Sequence, residues 1–122
     1  MKTIKQRRQT DCGVACVAML AGVSYEEAWE KVHAEGPGKK TKTADLRRAL
    51  QELGRTPDIG RRRSLRWTTL ESLEEDALVM GWLDDGGKEY RHRIVWDAKA
   101  RKPRDPYQRK LDYRPVSYLT IG

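Results

Sequence analysis

The sequence has few cysteines and no apolar run long enough to cross a membrane. Its 122 residues include two cysteines and two histidines, too few cysteines for a disulfide-rich secreted scaffold. We therefore expect a reducing compartment, the cytoplasm by default. The apolar stretch at residues 12–23 is too short to cross a membrane, so we expect no membrane partner.

The positive charge of the chain is not concentrated in one part. The net charge of +7 comes from 11 basic and 8 acidic residues before residue 61, and 14 basic and 10 acidic residues from there on. Neither half is therefore a basic tail. The length allows one compact domain, residues 1–122, with a single core, and the sequence has no internal repeat or low-complexity segment.

Basic residues precede the apolar stretch, an order that secretory signal peptides also show. Asp11 interrupts the approach to the apolar residues, and no small-residue cleavage site follows cleanly. We therefore interpret this segment as part of the fold. The basic residues in question are Lys2, Lys5, Arg7 and Arg8.

The first half of the sequence predicts three helices. Residues 12–22 would be apolar on every side of a helix, which indicates a central helix that is buried all round. A capping box at Ser24 predicts an amphipathic helix over residues 24–32. A third helix, capped by Thr43, is predicted over residues 44–53, and Gly54 ends it.

The second half predicts mainly strands. Residues 69–76 look like one more short helix, after which residues 78–83 and 92–97 form a hairpin around a glycine-rich turn. Residues 116–121 predict a third antiparallel strand. Residues 98–110 are basic and contain prolines, which favours a turn and an exposed loop. Helices first and strands afterwards indicate an α+β fold, with a helical layer packed on a C-terminal antiparallel sheet.

Cys12 lies at the predicted start of the buried helix. Free backbone N–H groups and the positive end of the helix dipole favour a thiolate there. Free cysteines are also common in protein cores, and Cys16 in the same helix fits that description. Cys12 is therefore a candidate nucleophile, with a core role as the alternative.

A thiolate nucleophile needs a base, and the chain offers two histidines. His33 ends a predicted helix, where a cation complements the helix dipole. His92 starts a predicted strand, which could hold its ring on a rigid edge. For the residue that orients the imidazole we prefer Asp105, which precedes a proline, to Asp97, because strand alternation places His92 and Asp97 on opposite faces.

One set of residues runs in order through nearly the whole chain: Gln6, the string from Asp11 to Cys16, Met19, His92 and Asp105-Pro106. This set resembles the papain-like cysteine peptidases that process double-glycine leader peptides, a family that includes free-standing members. The family pattern has a glutamine six residues before the cysteine, the position that Gln6 occupies. The resemblance implies a papain-like fold in which Gln6 contributes to the oxyanion hole, Cys12 attacks, His92 is the general base and acid, and Asp105 orients His92.

The resemblance also implies the reaction, which is hydrolysis of a peptide or isopeptide bond without a cofactor or metal. Cleavage after Gly-Gly is one expectation for the substrate. Arg91 and Arg93 flank the candidate base, and residues 99–104 add further positive charge before Asp105. We therefore expect a peptide or protein substrate that is acidic or neutral around the cut bond.

Other functions remain as alternatives. Basic residues with aromatic neighbours at 61–67 and 99–114 could bind nucleic acid, although charge this evenly spread is usually a solvated surface. A peptidase-like fold could also serve as an inactive protein-interaction module, but such modules usually lack a catalytic residue and none is missing here. A zinc site has little support, because the spacing matches no compact site for its candidate ligands Cys12, Cys16, His33 and His92.

Overall fold

The computed structural model describes residues 1–8, 10–34 and 41–122. Within these residues the chain forms three α-helices followed by a five-stranded antiparallel sheet. The predicted α+β class, with helices first and strands afterwards, is therefore confirmed. Among the described residues, none of the helices combines the length and the apolar character that a membrane crossing requires.

Helix α1 (Cys12–Ala21) is the buried central helix. All residues from Cys12 to Leu20 are buried, as its small and apolar composition predicts. The helix ends at Gly22, which has a φ of 70° and donates its N–H to the carbonyl of Ala18. A left-handed residue at this place is the usual role of glycine at a helix end, and the predicted end is confirmed.

Helix α2 (Tyr25–Val32) packs beside α1 through its apolar side. The Ser24 hydroxyl accepts a hydrogen bond from the N–H of Glu27, as the capping-box pattern predicts. Tyr25, Ala28 and Val32 are buried and belong to the same apolar cluster as α1.

Helix α3 (Thr43–Glu52) starts one residue earlier than the sequence pattern predicts. The cap is Lys42, and Thr43 is already helical. The carboxylate of Asp45 accepts a hydrogen bond from the N–H of Lys42 at 2.9 Å, so it satisfies a donor at the helix start in place of a threonine hydroxyl. Leu46 of this helix approaches Gly13 to within 3.1 Å of where a Cβ would lie.

The sheet has the strand order β1-β5-β2-β3-β4, and every pair is antiparallel. The three predicted strands are confirmed as β2, β3 and β5, although each begins earlier than predicted and β5 ends at Thr120, one residue before the predicted end. The strand bounds are Arg63–Ser64 (β1), Ala77–Asp85 (β2), Lys88–Asp97 (β3), Lys102–Arg104 (β4) and Asp112–Thr120 (β5).

Two details of the prediction for the second half are wrong. The expected helix at residues 69–76 is only a 3-10 turn over Leu70–Ser72. A segment this short gains little from helix formation, and Leu70 and Leu73 instead pack against the sheet. The expected loop at 98–110 contains the short edge strand β4, where Pro103 is tolerated because its missing N–H is not needed there.

Both faces of the sheet are covered, and the helical layer lies on one of them. Alternate residues of the strands, including Leu78 and Val95, belong to the apolar cluster of α1, α2 and α3. The intervening residues, including Val79 and Trp96, form a second cluster with side chains from the segment 65–73. The buried central helix therefore packs on the sheet as predicted.

Candidate active site

The start of α1 and the middle of β3 meet at one point. Cys12, the first residue of α1, is 7% exposed, and its thiol interacts with the side chain of His92 and with the backbone of Arg93. His92 is 4% exposed. Because β4 pairs only with the last three residues of β3, His92 lies beyond the end of β4, on a part of the strand that helix α1 can approach.

Asp105 contacts the other side of the His92 ring. The Nε2 atom of His92 lies 2.7 Å from Oδ1 of Asp105, which leaves Nδ1 as the ring nitrogen that can face Cys12. The same Oδ1 accepts a hydrogen bond from the N–H of Tyr107 at 2.8 Å, so the carboxylate is itself held in place. The structure thus brings together Cys12, His92 and Asp105 in a continuous line of contacts.

These contacts favour a negative sulfur beside a positive imidazole. Burial alone would raise the pKa of Cys12, but the hydrogen bond to His92 and the charge of His92 outweigh burial and lower the pKa of this thiol. Burial alone would lower the pKa of His92, but its hydrogen bonds to Asp105 and Cys12 raise that pKa to about 9. The pKa of the thiol moves down and the pKa of the imidazole moves up, so both shifts favour a thiolate paired with an imidazolium.

Cys16 has the opposite environment, although it lies one turn further along the same helix. Its side chain is fully buried. This burial, with a smaller contribution from the negative charge of Cys12, raises the pKa of Cys16 well above its usual value. Both cysteines are free thiols, so the reactivity of Cys12 can be compared with that of Cys16 in the same protein.

The ion pair predicts an unusual pH dependence for the alkylation of Cys12. The pKa of Cys12 is lowered, so its rate of reaction with iodoacetamide should rise at a lower pH than in a His92→Ala variant, in which burial remains and the imidazole is gone. A second change is expected near pH 9, where the imidazolium of His92 loses its proton. Mass spectrometry of the labelled peptide gives the rate at each pH.

Cys16 supplies the control within the same peptide map. Its thiol should stay unlabelled in the folded protein across the same pH range, because its pKa is raised and its side chain is buried. Equal pH midpoints for Cys12 in the parent protein and in His92→Ala would contradict a thiolate–imidazolium pair.

Two tyrosines enclose the His92 ring. The rings of Tyr107 and Tyr113 each lie 5.7 Å from it, in edge-to-face arrangements, and such contacts restrict the orientation of the imidazole. The Tyr113 hydroxyl also donates to the backbone carbonyl of His92 at 2.9 Å. Sequence reasoning missed both tyrosines. The sequence offered two weak signals for them. Tyr107 directly follows Asp105-Pro106, and Tyr113 lies shortly before the last predicted strand.

A glycine in β2 allows Tyr113 to reach His92. Tyr113 belongs to β5 and His92 to β3, and β2 lies between these strands. Gly81 of β2 is paired with His92, and a Cβ at Gly81 would lie 2.8 Å from the Tyr113 hydroxyl oxygen. The pairing of β2 with β5 is irregular between Met80 and Gly81. The bulge and the missing side chain together make room for the tyrosine.

Gln6 lies beside the loop that carries Asp105. It is buried, and its N–H donates to the carbonyl of Pro106 at 2.8 Å while its carbonyl accepts from Nε2 of Gln108 at 3.0 Å. Its side-chain Nε2 donates to the carbonyl of Arg8 at 2.9 Å. The sequence-based assignment of this amide to an oxyanion hole stays a prediction.

Lys5 also binds the loop that carries Asp105. Its Nζ donates to the carbonyls of Asp105 and Tyr107, each at 3.0 Å. Residues 5–8, which we call the N-terminal strap, therefore hold the loop at 105–108 through main-chain atoms. Because Asp105 is part of this loop, the strap fixes the distance between the carboxylate and His92.

Two other acidic residues, Asp11 and Asp97, have partners of their own. Asp11 occupies the N-cap position of α1, but its side chain makes no capping hydrogen bond. Its carboxylate accepts a short hydrogen bond from the hydroxyl of Tyr25. Asp97 lies 2.9 Å from Nε of Arg104 and accepts from the N–H of Ala100, so Asp97 supports the turn into β4 and does not contact His92.

The candidate zinc ligands are not assembled. The ring of His33 packs against Trp29 at 4.8 Å, in a different element from His92. Within the described residues, 1–8, 10–34 and 41–122, no group of three or more histidine, cysteine or acidic side chains is arranged to hold a metal ion.

The residues behind the nucleic-acid alternative are at the surface. Trp67 is 85% exposed, with the guanidinium of Arg66 lying 5.1 Å from its ring. Arg61, Arg62 and Arg63 are exposed as well, and Arg63 lies 3.7 Å from the carboxylate of Asp58. The nucleic-acid alternative stays a prediction.

No protein-family model matches the sequence, and no curated protein matches it. Any functional assignment therefore rests on the residues and contacts described above.

Proposed function

We propose that this chain is a papain-like cysteine peptidase in which Cys12, His92 and Asp105 act as a catalytic triad. The single observation that carries the proposal is the line of interactions from Cys12 through His92 to Asp105, in which the pKa of the thiol is lowered and the pKa of the imidazole is raised. A buried ion pair of this kind is costly for folding. Such perturbed groups cluster where chemistry requires them.

The reaction follows from the protonation states. The Cys12 thiolate attacks the carbonyl carbon of the peptide bond, and a C–S bond forms while the oxygen takes the negative charge. The His92 imidazolium gives its proton to the leaving nitrogen, and the C–N bond breaks. A water molecule, deprotonated by His92, then attacks the acyl carbon and releases the thiolate. Asp105 keeps the imidazole oriented throughout.

The negative oxygen needs hydrogen-bond donors. The start of α1 supplies the backbone N–H of Cys12 at the positive end of the helix dipole. The second donor in this proposal is the side-chain amide of Gln6, six residues before the nucleophile. That role rests on the family resemblance, and the contacts of the strap with the loop at 105–108 support it by fixing residue 6 close to Asp105.

The substrate class in this proposal is a peptide or isopeptide bond with small residues at the cut. Cys12 is only 7% exposed, so a bulky side chain directly before the cut bond would keep the carbonyl away from the sulfur. Gly-Gly meets this requirement, in line with the family resemblance. Arg91 is exposed and Arg93 contacts Cys12, which supports a substrate that is not strongly basic.

A peptide-pool digestion tests the proposed function. The chain is incubated with a pool of peptides from a digested proteome, and new amino termini are identified by mass spectrometry. We expect new termini, preferentially after glycine, and we expect none when Cys12 has first been alkylated with iodoacetamide. If the alkylated protein produces the same termini, Cys12 is not the nucleophile. If neither sample produces any, the peptidase proposal is wrong.

A further inference from the structure

A small cavity lies where the N-terminal strap meets the loop that follows Asp105. Its volume is about 280 Å³, near the lower limit for ligand pockets and sufficient for one side chain with some of its hydration water. The lining residues are Gln6, Arg7, Arg8, Tyr107, Gln108 and Arg109.

Among the described residues, the lining is positively charged and contains no carboxylate. Three of its six residues are arginines. Arg7 is paired with Glu26 at 2.5 Å, and Arg109 lies 3.5 Å from Asp85 in an exposed, weak contact. Arg8 has no ion-pair partner among the residues that the structure describes. The cavity therefore has an excess of positive charge that an anion could balance.

The cavity is next to the candidate active site. Tyr107 lines the cavity and also touches the edge of the His92 ring. Gln6 lines it as well, and its backbone is bonded to the loop that carries Asp105. The cavity is therefore joined to the His92 ring through Tyr107.

Resting on the proposed peptidase function, we propose that this cavity binds a carboxylate side chain of the substrate, close in sequence to the cut bond. A guanidinium binds a carboxylate through two parallel N–H groups, which suits aspartate or glutamate better than a neutral amide. Arg8 is the principal partner because its charge is not paired with any residue that the structure describes, and Arg109 is the second because its contact with Asp85 is long and exposed.

The experiment uses paired peptides that differ by one group. From the pool digestion, a well-cut peptide with a glutamate near the cut is synthesised together with its glutamine analogue, each with an amidated C-terminus. We expect the parent protein to cut the glutamate peptide roughly fivefold faster in kcat/KM. In Arg8→Gln and Arg8→Gln/Arg109→Gln the ratio should fall towards one, while cleavage of the glutamine peptide continues.

Arg62→Gln is the matched control, since Arg62 is an exposed arginine outside the cavity lining. It should leave the preference for glutamate unchanged. A ratio that stays the same in the Arg8 and Arg109 variants would overturn the inference, and so would a ratio of one in the parent protein. Both results leave the peptidase function intact, because they require that peptides are cut.

A second pair of peptides identifies the source of the carboxylate. These peptides contain glutamine in place of glutamate and end either in a free carboxylate or in an amide. If the free terminus is preferred and the Arg8 variant loses that preference, while internal glutamate has no effect, the cavity recognises a chain end and the side-chain proposal is wrong. If only internal glutamate matters, the proposal stands.

Discussion

Cys12→Ala is expected to abolish peptide hydrolysis in a protein that remains folded. The sulfur is the atom that bonds to the substrate in the proposed reaction, so its loss should lower the rate on the order of a thousandfold or more. Alanine is well tolerated in a helix, and Cys12 is the first residue of α1. Cleavage of a peptide identified in the pool digestion gives the activity, and thermal unfolding followed by circular dichroism reports the fold.

Cys16→Ala is the matched control, because it makes the same substitution one turn further along the same helix. Removing a fully buried sulfur should cost about 1 kcal/mol of stability while hydrolysis continues. Cys12→Ala should thus lose activity and stay folded, whereas Cys16→Ala should lose stability and stay active. Normal hydrolysis by Cys12→Ala would end the assignment of Cys12 as nucleophile.

Gly81→Ala is expected to give the largest loss of stability from a single methyl group. A Cβ at this position would collide with the carbonyl oxygen of Arg114 and would lie 2.8 Å from both Cα of Pro115 and the hydroxyl oxygen of Tyr113. Two of these atoms are backbone, so β5 itself would have to move. Overpacking of this kind costs about 1 to 3 kcal/mol, and thermal unfolding should show a melting temperature roughly 4 to 12 °C lower.

The same substitution should also reduce hydrolysis by the molecules that remain folded. Displacing Tyr113 would break its hydrogen bond to the carbonyl of His92 and loosen the edge contact with the ring. Tyr113→Phe separates these effects, since it keeps the ring and removes only the hydroxyl. An unchanged melting temperature for Gly81→Ala would show that β5 is not as close to β2 as described.

The helices and the main strands could be predicted because their signals are local. The run of apolar residues after Cys12 fixes α1, and Gly22 marks its end. The alternation before and after the glycine-rich turn fixes β2 and β3. The prediction of a helix at residues 69–76 was wrong because tertiary contacts decide the structure of that segment. Leu70 and Leu73 pack against the sheet, and the spacing of apolar residues within eight positions does not reveal such contacts.

The candidate site was predictable only where chemistry limits the choice. A thiol that serves as a nucleophile needs a base, so two histidines left few options and His92 was preferred. The family resemblance then supplied the full set of Gln6, Cys12, His92 and Asp105. The contributions of Tyr113 and Gly81 could not be foreseen, because they depend on the register of three strands and on one bulge. The binding of the strap to the loop at 105–108 likewise depends on contacts between residues about a hundred positions apart.

The connection between the N-terminal strap and the Asp105 loop has a consequence for the order of events during synthesis. Ribosomes make the chain from residue 1 onwards, so Cys12 emerges long before His92 and Asp105 exist. Contacts of such long sequence separation form late in folding, and until then Cys12 is an ordinary cysteine with an unshifted pKa. The lowered pKa of Cys12 therefore requires that the segment carrying His92 and Asp105 has been made and has closed against the N-terminal strap.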